Sequence, residues 1–333
     1  MRSHLPDGRV SSALAAMLLV ALLIGGPCLA AGAAQINWHA SLDEALTTAA
    51  QSGKPIFAFV YLGESPRETS GQRQEISIRG RGAQARAQID IDVMLQQTLA
   101  DRDVASAARS FEALKLDLCN PGTDAARIRL KVGPGVDAGT ETRVAMYPIT
   151  LFLDPTGQEL FRRHGCMPAV GYAAQLQQGY DLFLKRQAVL DAPQDARKRR
   201  DLGRAYMELD PTAGDRVYAA AVEHLEAAIQ LDPGNATGAS FDARVDLAVL
   251  RLPEGPAEAV SALTALQSED VDGHRKLETQ YYMAIAHFVL EDYASAKRVL
   301  REFETDNRNS PYYDSPWTPQ ALGLLEYLKQ IEP

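Results

Sequence analysis

Six consecutive residues, Ile56-Phe57-Ala58-Phe59-Val60-Tyr61, run without a charged or amide side chain among them. A strand with one wet face alternates polar and apolar positions, so an unbroken run of this kind predicts a strand covered on both faces, in the middle of an α/β sheet. The flanking sequence supplies the covers. Upstream, Leu42, Ala45, Leu46 and Ala49 recur at helical spacing behind a capping box of Ser41 and Glu44, and Gly53-Lys54-Pro55 stops the helix. Downstream, Ala113 to Leu118 predicts a second strand and Ile149 to Leu153 a third. Asp154-Pro155-Thr156-Gly157 turns the third into a fourth at Glu159 to Arg162, and a helix follows from about Val170 to Leu184.

Between the first two strands the chain is longer than this pattern needs. Gly71, Gly80 and Gly82 predict a loop, and Ile89 to Phe111 has helical periodicity through Ile91, Met94, Leu95, Leu99 and Val104, so residues 69–110 read as a helical insertion. Arg73, Arg79, Arg81 and Arg86 lie in it, interleaved with Glu75, Asp90 and Asp92, as on a solvated face. The net charge of -9 and pI near 5.3 exclude a general nucleic-acid binder, which needs clustered Lys and Arg.

Residues 1–34 read as a secretory signal peptide: Arg2 and Arg9, an apolar run from Ala13 to Ile24, then Gly25-Gly26-Pro27 and small residues through Ala34. The apolar run is shorter than the roughly 20 residues that span a bilayer. Pro27 before Cys28 departs from a lipoprotein signal. Cleavage is expected after Ala30, Ala31, Ala33 or Ala34, leaving a chain with no membrane span that keeps Cys119 and Cys166. Export places it in the periplasm of a Gram-negative cell, or otherwise outside the cell.

Three motifs, in order, resemble the thioredoxin family: Trp38 before a helix ending in Gly53-Lys54-Pro55, Asn120-Pro121-Gly122-Thr123 after the second strand, and Tyr147-Pro148-Ile149-Thr150 at the place of the cis-proline segment. The resemblance covers Ile36 to Leu184 and implies an α/β thioredoxin-like N-terminal domain, residues 35–190. It also locates the redox slot, where active members carry a Cys-x-x-Cys pair at a helix start that lowers the first thiol's pKa. Here the slot reads Glu64-Ser65-Pro66-Arg67. Without sulfur, disulfide exchange at these four positions is chemically excluded. Ser65 would need a base as nucleophile, and His39 and His164 are the candidates by composition.

What the resemblance leaves is a peptide-docking edge at Tyr147 and Pro148, against the alternative that Pro148 only shapes a turn. For Cys119 and Cys166 three readings stay open: two unlinked thiols, a structural disulfide, or a relocated redox or metal function. The thioredoxin strand order would hold their strands about 14 Å apart, beyond a disulfide's reach unless loops fold together. His164 beside Cys166 is too sparse for a zinc site, and no cofactor is implied.

From Arg197 the pattern is helix after helix. Leu202-Gly203 with Tyr206, Ala221, Leu225, Ala228 and Pro233 form one unit, with an insertion near Asp210 to Arg216. Leu247-Ala248 with Ala259, Leu263 and Leu266 form a second, and Met283-Ala284, His287, Tyr293, Ala296, Leu300 and Phe303 a third. A closing helix spans Ala321 to Leu328 behind Trp317-Thr318-Pro319. Small residues let paired helices approach while large ones fill the gaps. These units resemble tetratricopeptide repeats and imply an all-α superhelix over 191–333, joined through a helix broken near Pro193.

That family binds protein or peptide partners on its concave face, with Tyr281, Tyr282, Tyr312 and Tyr313 as candidates here and His287 as core; a domain that only steadies its neighbour or dimerises is the alternative. The expected function is an exported, non-catalytic binding or scaffold module of the cell envelope. The alternatives are a thiol-disulfide oxidoreductase or disulfide-handling chaperone using Cys119 or Cys166, and a thiol-independent holdase acting along the Pro148 edge.

Overall fold

The computed structural model describes residues 35–62, 94–132, 147–209, 215–270, 273 and 275–331. The signal segment, the slot Glu64-Ser65-Pro66-Arg67, the arginine-bearing loop and most of the expected insertion near Asp210 lie outside these residues. The described chain forms a small mixed sheet with helices on both faces, followed by an all-helical region.

Five strands make the sheet: β1 (Trp38–His39), β2 (Ile56–Tyr61), β3 (Glu112–Asp117), β4 (Ile149–Leu153) and β5 (Glu159–His164), in the order β1-β3-β2-β4-β5. β2 is central, as its unbroken apolar run predicts. It pairs parallel with β3 and antiparallel with β4, and β5 returns antiparallel as an edge. β1 is an addition to the sequence expectation: Trp38 and His39 do not simply enter the helix but pair parallel with Ala113 and Leu114.

Alternation along β2 sorts the core into two layers. Ile56, Ala58 and Val60 face α1 (Leu42–Ser52) through Leu42, Ala45 and Ala49, and Leu130 of α3 (Asp124–Leu130) joins the same cluster. Phe57 and Phe59 face α2 (Arg102–Ala108) and α4 (Ala169–Asp191) through Val104, Tyr172 and Leu176. Ser41 caps α1 by accepting from Glu44 N–H, and the Glu44 carboxylate accepts from Ala40 N–H, one residue before the cap, a variant of the capping box read from sequence. Phe152 stacks on Phe161 at 4.3 Å and meets Phe111 edge-on.

The helix expected over 89–111 is broken in two. A π-helical turn at Met94–Thr98 precedes α2, because Asp101 takes an extended backbone and its carboxylate accepts from Asp103 and Val104 N–H, starting a new helix. α4 runs past the expected Leu184 to Asp191, and the break before Pro193 falls where predicted.

The helical region comprises α5 (Ala196–Met207) with α6 (Asp215–Leu231), α7 (Ala239–Arg251) with α8 (Pro256–Glu269), α9 (Lys276–Val289) with α10 (Tyr293–Asn307), and a final α11 (Trp317–Ile331). Gly203 sits where α5 crosses α6: a Cβ there would lie 2.7 Å from the Leu225 side chain. The two regions share one core. Leu182, Phe183 and Val189 of α4 belong to the same buried cluster as Leu202, Ala205 and Tyr206 of α5 and Ala221 of α6, and this cluster continues down to Phe57 of the sheet.

Candidate functional site

Strand register gathers several of the sequence candidates at one end of the sheet. Tyr61 lies opposite Asp117, Val60 opposite Ile149, and Ile149 opposite His164. The chain leaving β2 and β3, the chain entering β4 and the chain leaving β5 therefore share an end. Tyr147-Pro148 is a cis peptide, and Gly165 N–H donates to the Pro148 carbonyl at 2.8 Å, tying Pro148 to the β5 side.

On the other flank, Asp117 accepts from Cys119 N–H at 2.9 Å, and Thr123 Oγ1 donates to the Asp117 and Asn120 carbonyls, folding Asn120-Pro121-Gly122-Thr123 back on the strand. Burial, with Asp117 and Cys119 nearby, pushes the Tyr61 phenol up from its ordinary value. Cys119 is half-buried, Cys166 is exposed, and no disulfide links them. The strand order puts three spacings between β3 and β5, about 14 Å, against the roughly 4.4–6.8 Å that a bridge requires.

His39 is not at this end. It pairs with Glu112 at 2.8 Å, beside the start of β3, while Ser65 lies outside the described residues. Among the described residues no group of three or more His, Cys, Asp or Glu could hold a metal ion.

The helical region contains a site that the sequence reading missed. Asp246 of α7 is fully buried among three arginines: Arg204 at 3.2 Å, Arg275 at 2.9 Å and Arg200 at 3.3 Å. Arg200 also reaches Asp242 at 2.9 Å, and Arg275 and Arg204 reach Glu278 at 2.9 and 3.4 Å. Three cations and three carboxylates thus knit α5, α7 and α9 side by side, the first members of the three helix pairs. The signal was present in the spacing. Arg200 and Arg204, and Asp242 and Asp246, are like charges at i,i+4, which repel on an isolated helix and so call for opposite charge from a neighbour.

An aromatic trio extends this wall. Tyr281 and Tyr282 of α9 pack on Trp317 of α11 at 5.7 and 5.3 Å between ring centroids. Burial, with Glu278 nearby, pushes the Tyr282 phenol up to about 12. Of the other tyrosines, Tyr313 packs into the α9–α11 core and Tyr312 is exposed. His287 is half-buried, with Nδ1 3.4 Å from Asp292.

Burial raises the Glu278 carboxyl above its ordinary value, outweighing the pull of Arg275 and Arg204. A carboxyl raised in the folded state stabilises the fold below its unfolded pKa, and that contribution is lost as pH climbs through the folded value. The stability of the parent relative to Glu278→Gln should therefore fall from pH 4 upward. Urea midpoints of both proteins between pH 4 and pH 7 measure it, and a gap that widens in the parent's favour would refute the sign.

No protein-family model matches the sequence, and no curated protein is significantly similar to it.

Proposed function

We propose that the chain is an exported, non-catalytic protein-binding module. A thioredoxin-like unit over residues 35–190 keeps a peptide edge at Tyr147 and Pro148 without dithiol chemistry, and a tetratricopeptide-like superhelix over 191–333 receives an extended segment of a partner protein in the cell envelope. The observation that carries this reading is the wall on α5, α7, α9 and α11. Its arginines are fixed by carboxylates, so their orientation is set before a partner arrives, and Arg204 keeps 27% of its side chain exposed. Trp317 and Tyr282 add half-buried rings beside it. Arg, Tyr and Trp held rigidly are the residue types that dominate binding energy at interfaces.

Thiol-disulfide exchange on Cys119 or Cys166 is the second reading, favoured by one observation: Cys166 is exposed at the same sheet end as Pro148.

One experiment separates the two. A random-peptide library is selected on the mature protein, on Tyr282→Ala/Trp317→Ala and on Cys119→Ala/Cys166→Ala, and insulin reduction is assayed in parallel. Peptides should be enriched, bind the aromatic variant at least about tenfold more weakly, and bind the cysteine variant like the parent, with insulin reduction at background throughout. Insulin turnover that disappears with the cysteines establishes the second reading instead.

A further inference from the structure

A groove of about 540 Å3 lies between α4 and α5, bounded by Arg163 of β5 at one side. That volume is within the roughly 300–1,000 Å3 usual for small-ligand sites. Met167, Leu182 and Ala205 give it an apolar floor, while Gln175, Asp181, Lys185 and Glu208 supply polar groups.

Both carboxylates that line this groove already accept a hydrogen bond. Asp181 accepts from Gln177 Nε2 at 3.0 Å. The Glu208 carboxylate is held by Arg204 Nε at 3.0 Å, and the Glu208 carbonyl accepts from Gln178 Nε2 at 2.8 Å.

Two of its donors have no partner among the described residues. Gln175 is only 5% exposed, yet its Nε2 has no acceptor among the described residues. Lys185 is half-buried, and its ammonium has no ion pair or hydrogen bond among them. A buried donor without a partner is rare in folded proteins because its lost hydration goes unreturned. The missing complement is therefore an acceptor, and beside a cation it is an anionic one.

Spacing restricts the ligand further. Gln175 and Lys185 are ten residues apart on one helix, about 15 Å at 1.5 Å per residue, so a single small anion does not serve both. We propose that this groove binds an elongated apolar chain that ends in a carboxylate, with the carboxylate on Lys185, the stem over Leu182 and Ala205, and a carbonyl oxygen on Gln175. Two sources carry that chemistry: the free C-terminus of a peptide, or a small amphipathic acid. The inference is independent of the helical wall proposed above as a partner surface.

Calorimetric titration of the full mature chain tests it with four probes: an acetylated Ala-Val-Ala-Leu peptide as free acid and as C-terminal amide, and decanedioic acid monoamide and diamide. At least one acid should bind saturably while its amide twin does not. Lys185→Met should weaken that acid by about 10- to 100-fold, the loss of a charge-assisted hydrogen bond, and Lys185→Arg should restore it. Binding by the peptide acid alone identifies a chain terminus as the ligand, and binding by the monoamide alone a small acid. Tyr282→Ala/Trp317→Ala should bind like the parent, so this site stands or falls apart from the wall. Failure of both acids to bind, or equal affinity in parent and a Lys185→Met protein with an unchanged thermal midpoint, overturns the proposal.

Discussion

Replacing Asp246 with alanine should cost the helical region about 3–5 kcal/mol, the usual penalty for breaking a buried ion pair and stranding its partners. Three arginines converge on this carboxylate, and its own side chain is 1% exposed. Removing it leaves Arg275, itself only 8% exposed in its side chain, facing Arg204 and Arg200 with Asp242 and Glu278 as its own remaining carboxylates. Against a total stability of roughly 5–15 kcal/mol for a typical domain, that is a large share. Urea titration followed by circular dichroism at 222 nm reads the loss. Arg244→Ala is the matched control: it removes an ion pair to Glu269 at 2.7 Å whose members are 35% and 47% exposed, and it should stay within about 1 kcal/mol. Equal losses in the two variants would mean that water reaches the arginines around Asp246.

The second large effect lies in the sheet. Phe152 is fully buried, stacks on Phe161 and presses its ring against Gly179 of α4, where an added Cβ would collide with it. Phe152→Ala should cost about 3–5 kcal/mol through lost transfer energy and the cavity left behind. Gly179→Ala should cost about 1–3 kcal/mol for the opposite reason, an extra methyl in filled space. The two changes occupy the same volume, so the double variant should lose less than the sum of the singles. Denaturation midpoints of the three variants decide it, and strict additivity would show that ring and glycine do not share that space.

Both regions were legible to different depths. β2, β3, β4 and β5 announced themselves because their apolar runs are long enough to show a period and are bounded by turn residues. β1 did not, since two residues carry no period and only its partner β3 makes it a strand. The division at Asp101 was hidden for a related reason: Leu99 and Val104 keep the helical spacing across a residue whose capping carboxylate restarts the helix.

At the sheet end, the sequence order alone located Tyr147-Pro148 and both cysteines, because strand ends follow from topology. The ionic core was lost to a rule that is usually right. Charges at i,i+4 normally face water, and although the like-charge spacing of Asp242 and Asp246 called for a neighbour, the neighbouring helices were needed to say which one. Gln175 was illegible altogether, since nothing in a sequence distinguishes an amide with a partner from one without.

The apolar cluster that runs unbroken from Phe57 through Phe183 to Ala221 bears on how this protein can be reused. A cut between the sheet and the helices would bare Phe183, Val189, Leu202 and Tyr206 together, so neither piece is a ready-made cassette for fusion or shuffling. Lineages that inherit one half should inherit the other.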